Sequence, residues 1–241
     1  MKEKPEYPPS QVATVPTRRL DFRESFGVMG ENRNFLMLAI ALALPFGSFT
    51  AIGNLVSNLF DPFGYSSSEL SFICLQLLLA GVVGAVVIGA LMDKTRKYKL
   101  AMQLITFTIT ISTIMVIVVL TFYRENESIF IGWMQVLGFF CTAYIPLCLS
   151  FGAELTFPLE PALVNGTLTL TGSASSFLLS MLGAFMNHEG KDDDSLSDEE
   201  LLRVRRLRTC TVIFILCGSS FIAFGLSFFI DEDLKRLRYS E

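Results

Sequence analysis

Residues 100–122, from Leu100 to Phe122, read LAMQLITFTITISTIMVIVVLTF and contain no charged side chain. Coiled into a helix, a run of this length crosses the roughly 30 Å hydrocarbon core of a bilayer. Working outward, five more stretches are comparably apolar: 35–60, 70–92, 129–152, 161–187 and 209–230. Between them lie the polar segments Asp61–Ser68, Asp93–Lys99, Tyr123–Ser128, Gly152–Glu160 and His188–Arg208. One buried helix of a large soluble protein can be this apolar. Six in succession with so little polar surface between them cannot stay in water. The expected fold is therefore all-α: a polytopic membrane protein with a six-helix transmembrane bundle over 34–230. A cytoplasmic linker or tail over 1–33 and a cytoplasmic tail over 231–241 flank it.

Composition agrees. Of 241 residues 51% are hydrophobic and only 17% charged, with 22 Phe and a mean hydropathy of +0.52, where an ordinary soluble domain carries roughly 25% charge. The net charge of -4 comes largely from one acidic loop and says little about partners; no nucleic-acid partner is expected. Cys74, Cys141, Cys148, Cys210 and Cys217 all fall in apolar stretches, at spacings that match neither a zinc site nor a disulfide framework. They read as small packing residues. The polar, Pro-rich opening (MKEKPEYPPSQVATVPT) is the opposite of an apolar signal core, so the first spanning helix is expected to direct insertion itself.

An even number of spans puts both ends on one side, and Lys/Arg asymmetry selects the side. The N-terminal segment, second loop and tail hold Lys2, Lys4, Arg18, Arg19, Arg23, Arg33, Lys94, Arg96, Lys97, Lys99, Lys235, Arg236 and Arg238. The opposite face holds Arg124, Lys191, Arg203, Arg205, Arg206 and Arg208, five of them in the fifth loop. The larger group is expected to be cytoplasmic, and both termini with it. In the fifth loop, Ser197-Asp198-Glu199-Glu200 has the form of a capping box with Arg at the far end, so the last helix is expected to begin outside the membrane. Its preceding run KDDDSLSD reads as a solvated acidic loop. Ser66-Ser67-Ser68-Glu69 is expected to cap the second span in the same way.

Gly89-Ala-Leu-Met-Asp93-Lys-Thr-Arg96-Lys97-Tyr-Lys99 occupies the loop between the second and third spans. It resembles the signature loop of the major facilitator superfamily. That resemblance implies a cytoplasmic gate: Gly89 for close helix approach, Asp93 at a neighbouring helix N-terminus, and Arg96 and Lys97 for charge pairing. A second stretch runs Gly138-Phe139-Phe140-Cys-Thr-Ala-Tyr144-Ile-Pro146-Leu147, then Phe151-Gly-Ala153-Glu154-Leu-Thr156-Phe157-Pro158, with Gly166 beyond. It is similar to the solute carrier 49 family, which contains the feline leukaemia virus subgroup C receptor proteins. Asp231-Glu-Asp233-Leu234-Lys235-Arg236 and Pro8-Pro9-Ser10 resemble that family's tail and the linker between its halves. The resemblance covers nearly the whole chain but only the C-terminal half of a full member. It implies a carrier of twelve helices in two halves, a missing N-terminal half or pairing subunit, and an alternating-access cycle. Glu154 is expected to brace the cytoplasmic gate.

No Asp, Glu, Lys, Arg or His sits near the middle of any span, so proton coupling through a buried carboxylate is not expected here. The candidates for a substrate cavity are polar: Thr50, Asn54, Gln135, Tyr144 and Ser173. Thr50, Asn54 and Asn58 share one helix face at i, i+4, i+8, and a mid-membrane amide is costly to leave unpaired, which singles out Asn54. The Ser/Thr run of the fifth span reads first as hydroxyls bonded to their own backbone. Choline-carrying members of the resembled family place Tyr and Gln where Thr50 and Ser173 stand here, and a quaternary ammonium seeks an aromatic face. Haem finds no ligand beyond the lone His188, read as a loop residue. The solute class stays open between choline, haem and a vitamin-like metabolite. Gly81, Gly84, Ala80, Ala85 and Gly89 form a small-residue stripe expected to pack within the bundle. The sequons at Asn126 and Asn165 are not expected to be used.

Two functions follow. The first is the C-terminal half of a facilitative transporter for a small organic solute, in the plasma membrane or an endolysosomal membrane. The second is a non-transporting half-carrier serving as a membrane scaffold in a larger complex. No nucleophile–base pair or metal cluster suggests an enzyme, and no cofactor is expected.

Overall fold

The computed structural model describes residues 22–122, 127–188 and 198–231. Its elements are α1 (Phe22–Glu31), α2 (Arg33–Phe60), α3 (Ser67–Thr95), α4 (Tyr98–Phe122), α5 (Glu127–Leu155), α6 (Pro161–His188) and α7 (Asp198–Phe229), with a 3₁₀ turn at Asp61–Phe63. Helices α2 to α7 are each long and apolar enough to cross a membrane, as the six uncharged runs require. No strand occurs among the described residues. Asn126, Arg124, the acidic run before Asp198, Ser197, residues 1–21 and residues 232–241 lie outside the described residues.

The helix ends follow from local chemistry. Asn32 caps α2, its side-chain oxygen accepting from the amides of Asn34 (3.1 Å) and Phe35 (3.2 Å), and its Nδ2 donates to the Leu155 carbonyl at the end of α5 (3.3 Å). The capping box expected at Ser66 is formed: the Ser66 amide donates to Glu69 Oε2 at 2.8 Å, and the Glu69 amide to Ser66 Oγ at 3.3 Å. Gly64 closes the α2–α3 turn in a left-handed conformation, φ +91°. Arg96 ends α3 with φ 51°, a conformation that L side chains adopt at a cost. Helix α7 starts at Asp198 and enters the bundle without a break, as its sequence led us to expect.

Two sequence readings change. Residues 22–31, read as part of a linker, are the helix α1, which buries Ser25 and Met29 and leads directly into the α2 cap. His188, read as a loop residue, closes α6.

The helices pack in two layers. In front, the order is α6, α2, α5, α3; behind α2 and α5 lie α7 and α4, which also touch each other. Exchanging the first three spans (α2, α3, α4) with the last three (α5, α6, α7) maps this neighbour pattern onto itself. The α2–α6 contact becomes α5–α3, and α2–α7 becomes α5–α4. This is the nested three-plus-three arrangement of a major facilitator half. Both outer seams are closed by glycine. Between α3 and α5, Gly81 faces Thr142, Gly84 the Phe139 carbonyl and Gly138 the Leu77 carbonyl; between α2 and α6, Gly47 faces Ser175, Gly172 Phe46 and Gly183 Leu55. Without a hydrophobic driving force between helices in lipid, such close backbone approach supplies the dispersion contact that holds them. The stripe on α3 thus packs within the bundle, except at Gly89, around which a Cβ would meet nothing.

Candidate functional site

The exposed polar side chains of the spans lie mostly in the front layer. Beyond Arg33, the exposed positions of α2 are Leu36 and Ile40 toward the N-terminal end and Gly53, Asn54, Ser57 and Asn58 toward the C-terminal end. At the back the exposed side chains are mainly large and apolar, among them Leu104, Phe107, Ile111 and Ile114 on α4 and Phe214, Phe221, Ile222 and Phe228 on α7. A face of amides and hydroxyls turned to lipid would leave its hydrogen-bonding groups unserved, so the C-terminal half of α2 meets surroundings unlike those of the apolar faces exposed on α3, α4, α6 and α7.

Of the five cavity candidates, the structure sets Asn54 and Gln135 in matching positions. Asn54 Nδ2 donates to Ser180 Oγ on α6 at 3.2 Å. Gln135 Nε2 donates to Gln76 Oε1 on α3 at 2.7 Å. Exchanging the helix triplets converts one pair of helices into the other. The two clasps also share a depth. The Phe60 and Phe130 rings meet edge-to-face at 5.2 Å; Asn54 lies six residues along α2 from that contact and Gln135 five along α5, about 9 Å and about 7.5 Å at helical rise.

The other three candidates are placed differently. Thr50 is half-buried and its hydroxyl donates to the Phe46 carbonyl of its own helix (2.7 Å). Ser173 is exposed on α6. Tyr144 is 1% exposed, and its hydroxyl donates across the α2–α5 seam to the Ala41 carbonyl at 3.0 Å. In a regular helix that carbonyl would accept from the amide four residues on, but residue 45 is a proline and has none. Tyr144 therefore repairs the break in α2. The Ser/Thr run of α6 back-bonds as expected, Thr167 to Leu163, Thr169 to Asn165 and Thr171 to Thr167.

Reading by sequence passed over Gln76 and Ser180. Gln76 had a signal, since it is the one amide in the 70–92 run; Ser180 had none to separate it from its Ser/Thr neighbours.

At the opposite end, Gly89, Asp93, Arg96 and Lys97 are exposed, and Glu154 is buried at the end of α5. Among the described residues Arg96 and Lys97 form no ion pair. Contacts made there include the stacking of Tyr98 on Phe151, centroids 5.7 Å apart and rings 2° from parallel, and the donation from Lys99 Nζ to the Phe228 carbonyl at 3.1 Å. At the Asn54 end, Arg205 Nη2 meets Asp61 Oδ2 at 3.3 Å and Arg206 Nε donates to the Pro62 carbonyl at 2.8 Å, tying α7 to the α2–α3 turn. No group of three or more His, Cys, Asp or Glu able to hold a metal occurs among the described residues.

No family model matches the chain. Its curated relatives are more telling. The Choline/ethanolamine transporter flvcr2a of Danio rerio is 29% identical over 249 residues, an alignment that takes in all of this chain and 48% of the relative. The chain is a homologue of the solute carrier 49 transporters. Another homologue, the Choline/ethanolamine transporter FLVCR1 of Mus musculus, is 27% identical over 253 residues, with 98% of this chain and 40% of its own length covered. An uncharacterized MFS-type transporter of Caenorhabditis elegans is 27% identical over 241 residues, covering 97% and 37%. The chain thus spans about half the length of the curated relatives it matches. These homologues bear out the resemblance read from the Gly138–Pro158 motifs, and with the six apolar helices they make the chain an integral multi-pass membrane protein. They are named as transporters, not as enzymes.

Proposed function

We propose that this chain is one half of an alternating-access transporter, with the α6–α2–α5–α3 layer lining the path of a small organic solute. The observation that carries the reading is the change along α2 from exposed Leu36 and Ile40 to exposed Gly53, Asn54, Ser57 and Asn58. It is supported by the relatives, whose printed names are choline/ethanolamine transporters. Asn54, Gln135, Thr50 and Ser173 are the side chains offered to solute, with Tyr144 holding the two central helices in register. The front face needs a cover in lipid, and a second six-helix half supplies it. Gly89, Asp93, Arg96 and Lys97, exposed on this chain, then form the cytoplasmic gate against that half, with Glu154 bracing the end of α5. The termini are cytoplasmic, in a plasma or endolysosomal membrane.

The test is cysteine accessibility in intact vesicles, on a background lacking the five native cysteines. Cysteines at 54, 57 and 58 are expected to react with a membrane-impermeant thiol reagent and to be protected by transported solute, whereas cysteines at 107 and 221 stay unreacted. Equal labelling of the two groups, or none at 54, 57 and 58 in either vesicle orientation, sinks the reading.

A further inference from the structure

We infer that the seam between α6 and α7 holds a glycerophospholipid, with an acyl chain along an apolar groove and the phosphate on Arg208. The inference is independent of the front-layer reading, because this seam lies at the edge of the bundle, where front layer and back layer meet.

The groove comes from how the two helices are supported. Helix α6 packs chiefly on α2, and α7 on α2 and α4, while α6 and α7 touch each other only sparsely. The space left between them is a groove of about 180 Å³. Its lining includes Leu179, Gly183 and Met186 of α6 and Val212, Ile215 and Leu216 of α7, and holds no polar side chain. Phe185 and Phe214, on the same two helices, are 63% and 69% exposed. Apolar side chains this open on a spanning helix face hydrocarbon.

Toward the N-terminal end of α7 the chemistry changes. Arg208 lies one turn from Val212, about 6 Å at helical rise, and is the last charge before the uncharged run 209–230. Helical side chains lean toward the N-terminus of their helix. That lean carries the guanidinium away from the apolar run, as arginine stems do at a bilayer surface. Its Nη1 is buried, and no described residue accepts from it. The neighbouring arginines are served: Arg205 by the Asp61 carboxylate at 3.3 Å and Arg206 by the Pro62 carbonyl at 2.8 Å. A buried charged donor without an acceptor is costly, more so than a neutral one. An anionic acceptor therefore belongs beside Arg208.

The order along the seam selects the occupant. An apolar slot at hydrocarbon depth, with an unpaired guanidinium one turn farther out, matches the profile of a phospholipid from chain to headgroup. Guanidinium takes phosphate oxygens in bidentate fashion, and basic pockets between spanning helices are a known seat for lipid headgroups. A free anion would satisfy Arg208 and leave the groove unfilled. A diacylglycerol would fill the groove and leave Arg208 unpaired.

The measurement is native mass spectrometry of the full chain, stripped of lipid in detergent and titrated with dioleoylphosphatidylglycerol, dioleoylglycerol and inorganic phosphate. Expected is a one-to-one adduct with the phospholipid, weaker retention of dioleoylglycerol, and none of phosphate. Arg208→Gln should weaken the phospholipid about tenfold, the share of a charge-assisted hydrogen bond, to the level of dioleoylglycerol; Arg208→Lys should restore part of the loss. Ile215→Trp, which fills the groove from a partly open position, should weaken both lipids. The two substitutions alter the site from opposite ends, so either tests it alone if the other does not fold. Arg203→Gln, at an exposed arginine of the same helix, should change nothing. The inference is overturned if no phospholipid adduct forms, or if the adduct ignores Arg208→Gln and Ile215→Trp. It is overturned equally if Arg203→Gln weakens the adduct as much as Arg208→Gln, which would mean diffuse charge attraction, or if dioleoylglycerol or phosphate binds as tightly as the phospholipid.

Discussion

The hydroxyl of Tyr144 lies 3.0 Å from the carbonyl oxygen of Ala41, the α2 acceptor that Pro45 deprives of its helical donor. A proline in a membrane helix is tolerated when a neighbour serves the freed carbonyl, and here a buried phenol on α5 does so. Tyr144→Phe is expected to lower stability by about 1 kcal/mol, the range of interhelical hydrogen bonds in bilayers. In a Pro45→Ala background, residue 45 regains an amide for Ala41 and the same substitution should cost markedly less. Thermal unfolding of the four proteins in detergent checks the cycle; equal costs in both backgrounds would refute the pairing.

The two ends of the α3 glycine stripe should respond in opposite ways. A Cβ at residue 84 would run into the Phe139 carbonyl, which is backbone and cannot rotate away, whereas one at residue 89 meets open space. Gly84→Val is therefore expected to cost about 3 kcal/mol or more by prising α3 from α5, seen as loss of the monodisperse peak in size-exclusion chromatography. Gly89→Val should leave that peak intact. If Gly89 acts at a gate against a second half, the loss will show in transport instead.

Arg96 separates stability from function within one residue. Its φ of 51° suits glycine better than arginine, so Arg96→Gly is expected to raise stability by about 1 kcal/mol, near 2–4 °C in melting temperature for a chain of this size. The gate reading predicts slower transport in the same variant. A rise in melting temperature with full transport would retain the turn argument and remove Arg96 from the gate.

Polar contacts of similar length should differ in worth. Asp61 pairs with Arg205 at 3.3 Å, but their side chains are 63% and 31% exposed, and exposed pairs contribute little. Asp61→Asn should change the melting temperature by no more than about 1 °C. Asn32 caps α2 and also donates to the Leu155 carbonyl; Asn32→Ala should cost about 1 kcal/mol. A reversed order in the melting curves would contradict the burial argument.

The spans were readable from the sequence because an uncharged run of twenty-odd residues has one physical meaning, whatever its neighbours. Ser66 was readable for a related reason: a cap concerns residues three apart. The site was not readable to the same degree. Asn54 and Ser180 are 126 residues apart in the chain and Gln135 and Gln76 are 59 apart, so nothing local announces either pair. Tyr144 entered as a cavity wall because its tyrosine was visible, while the need created by Pro45 becomes apparent only once α2 and α5 are known to be neighbours. Gln76 was legible as a lone amide in lipid and was passed over.

Helices α3 and α6 each lean chiefly on one neighbour, across seams lined by glycine, while α2, α5, α4 and α7 contact one another on several sides. The molecule therefore has a keel and two planks. Under heat or harsh detergent the planks should come away first, leaving a four-helix remnant, and amide exchange should quicken in α3 and α6 while the keel is still protected.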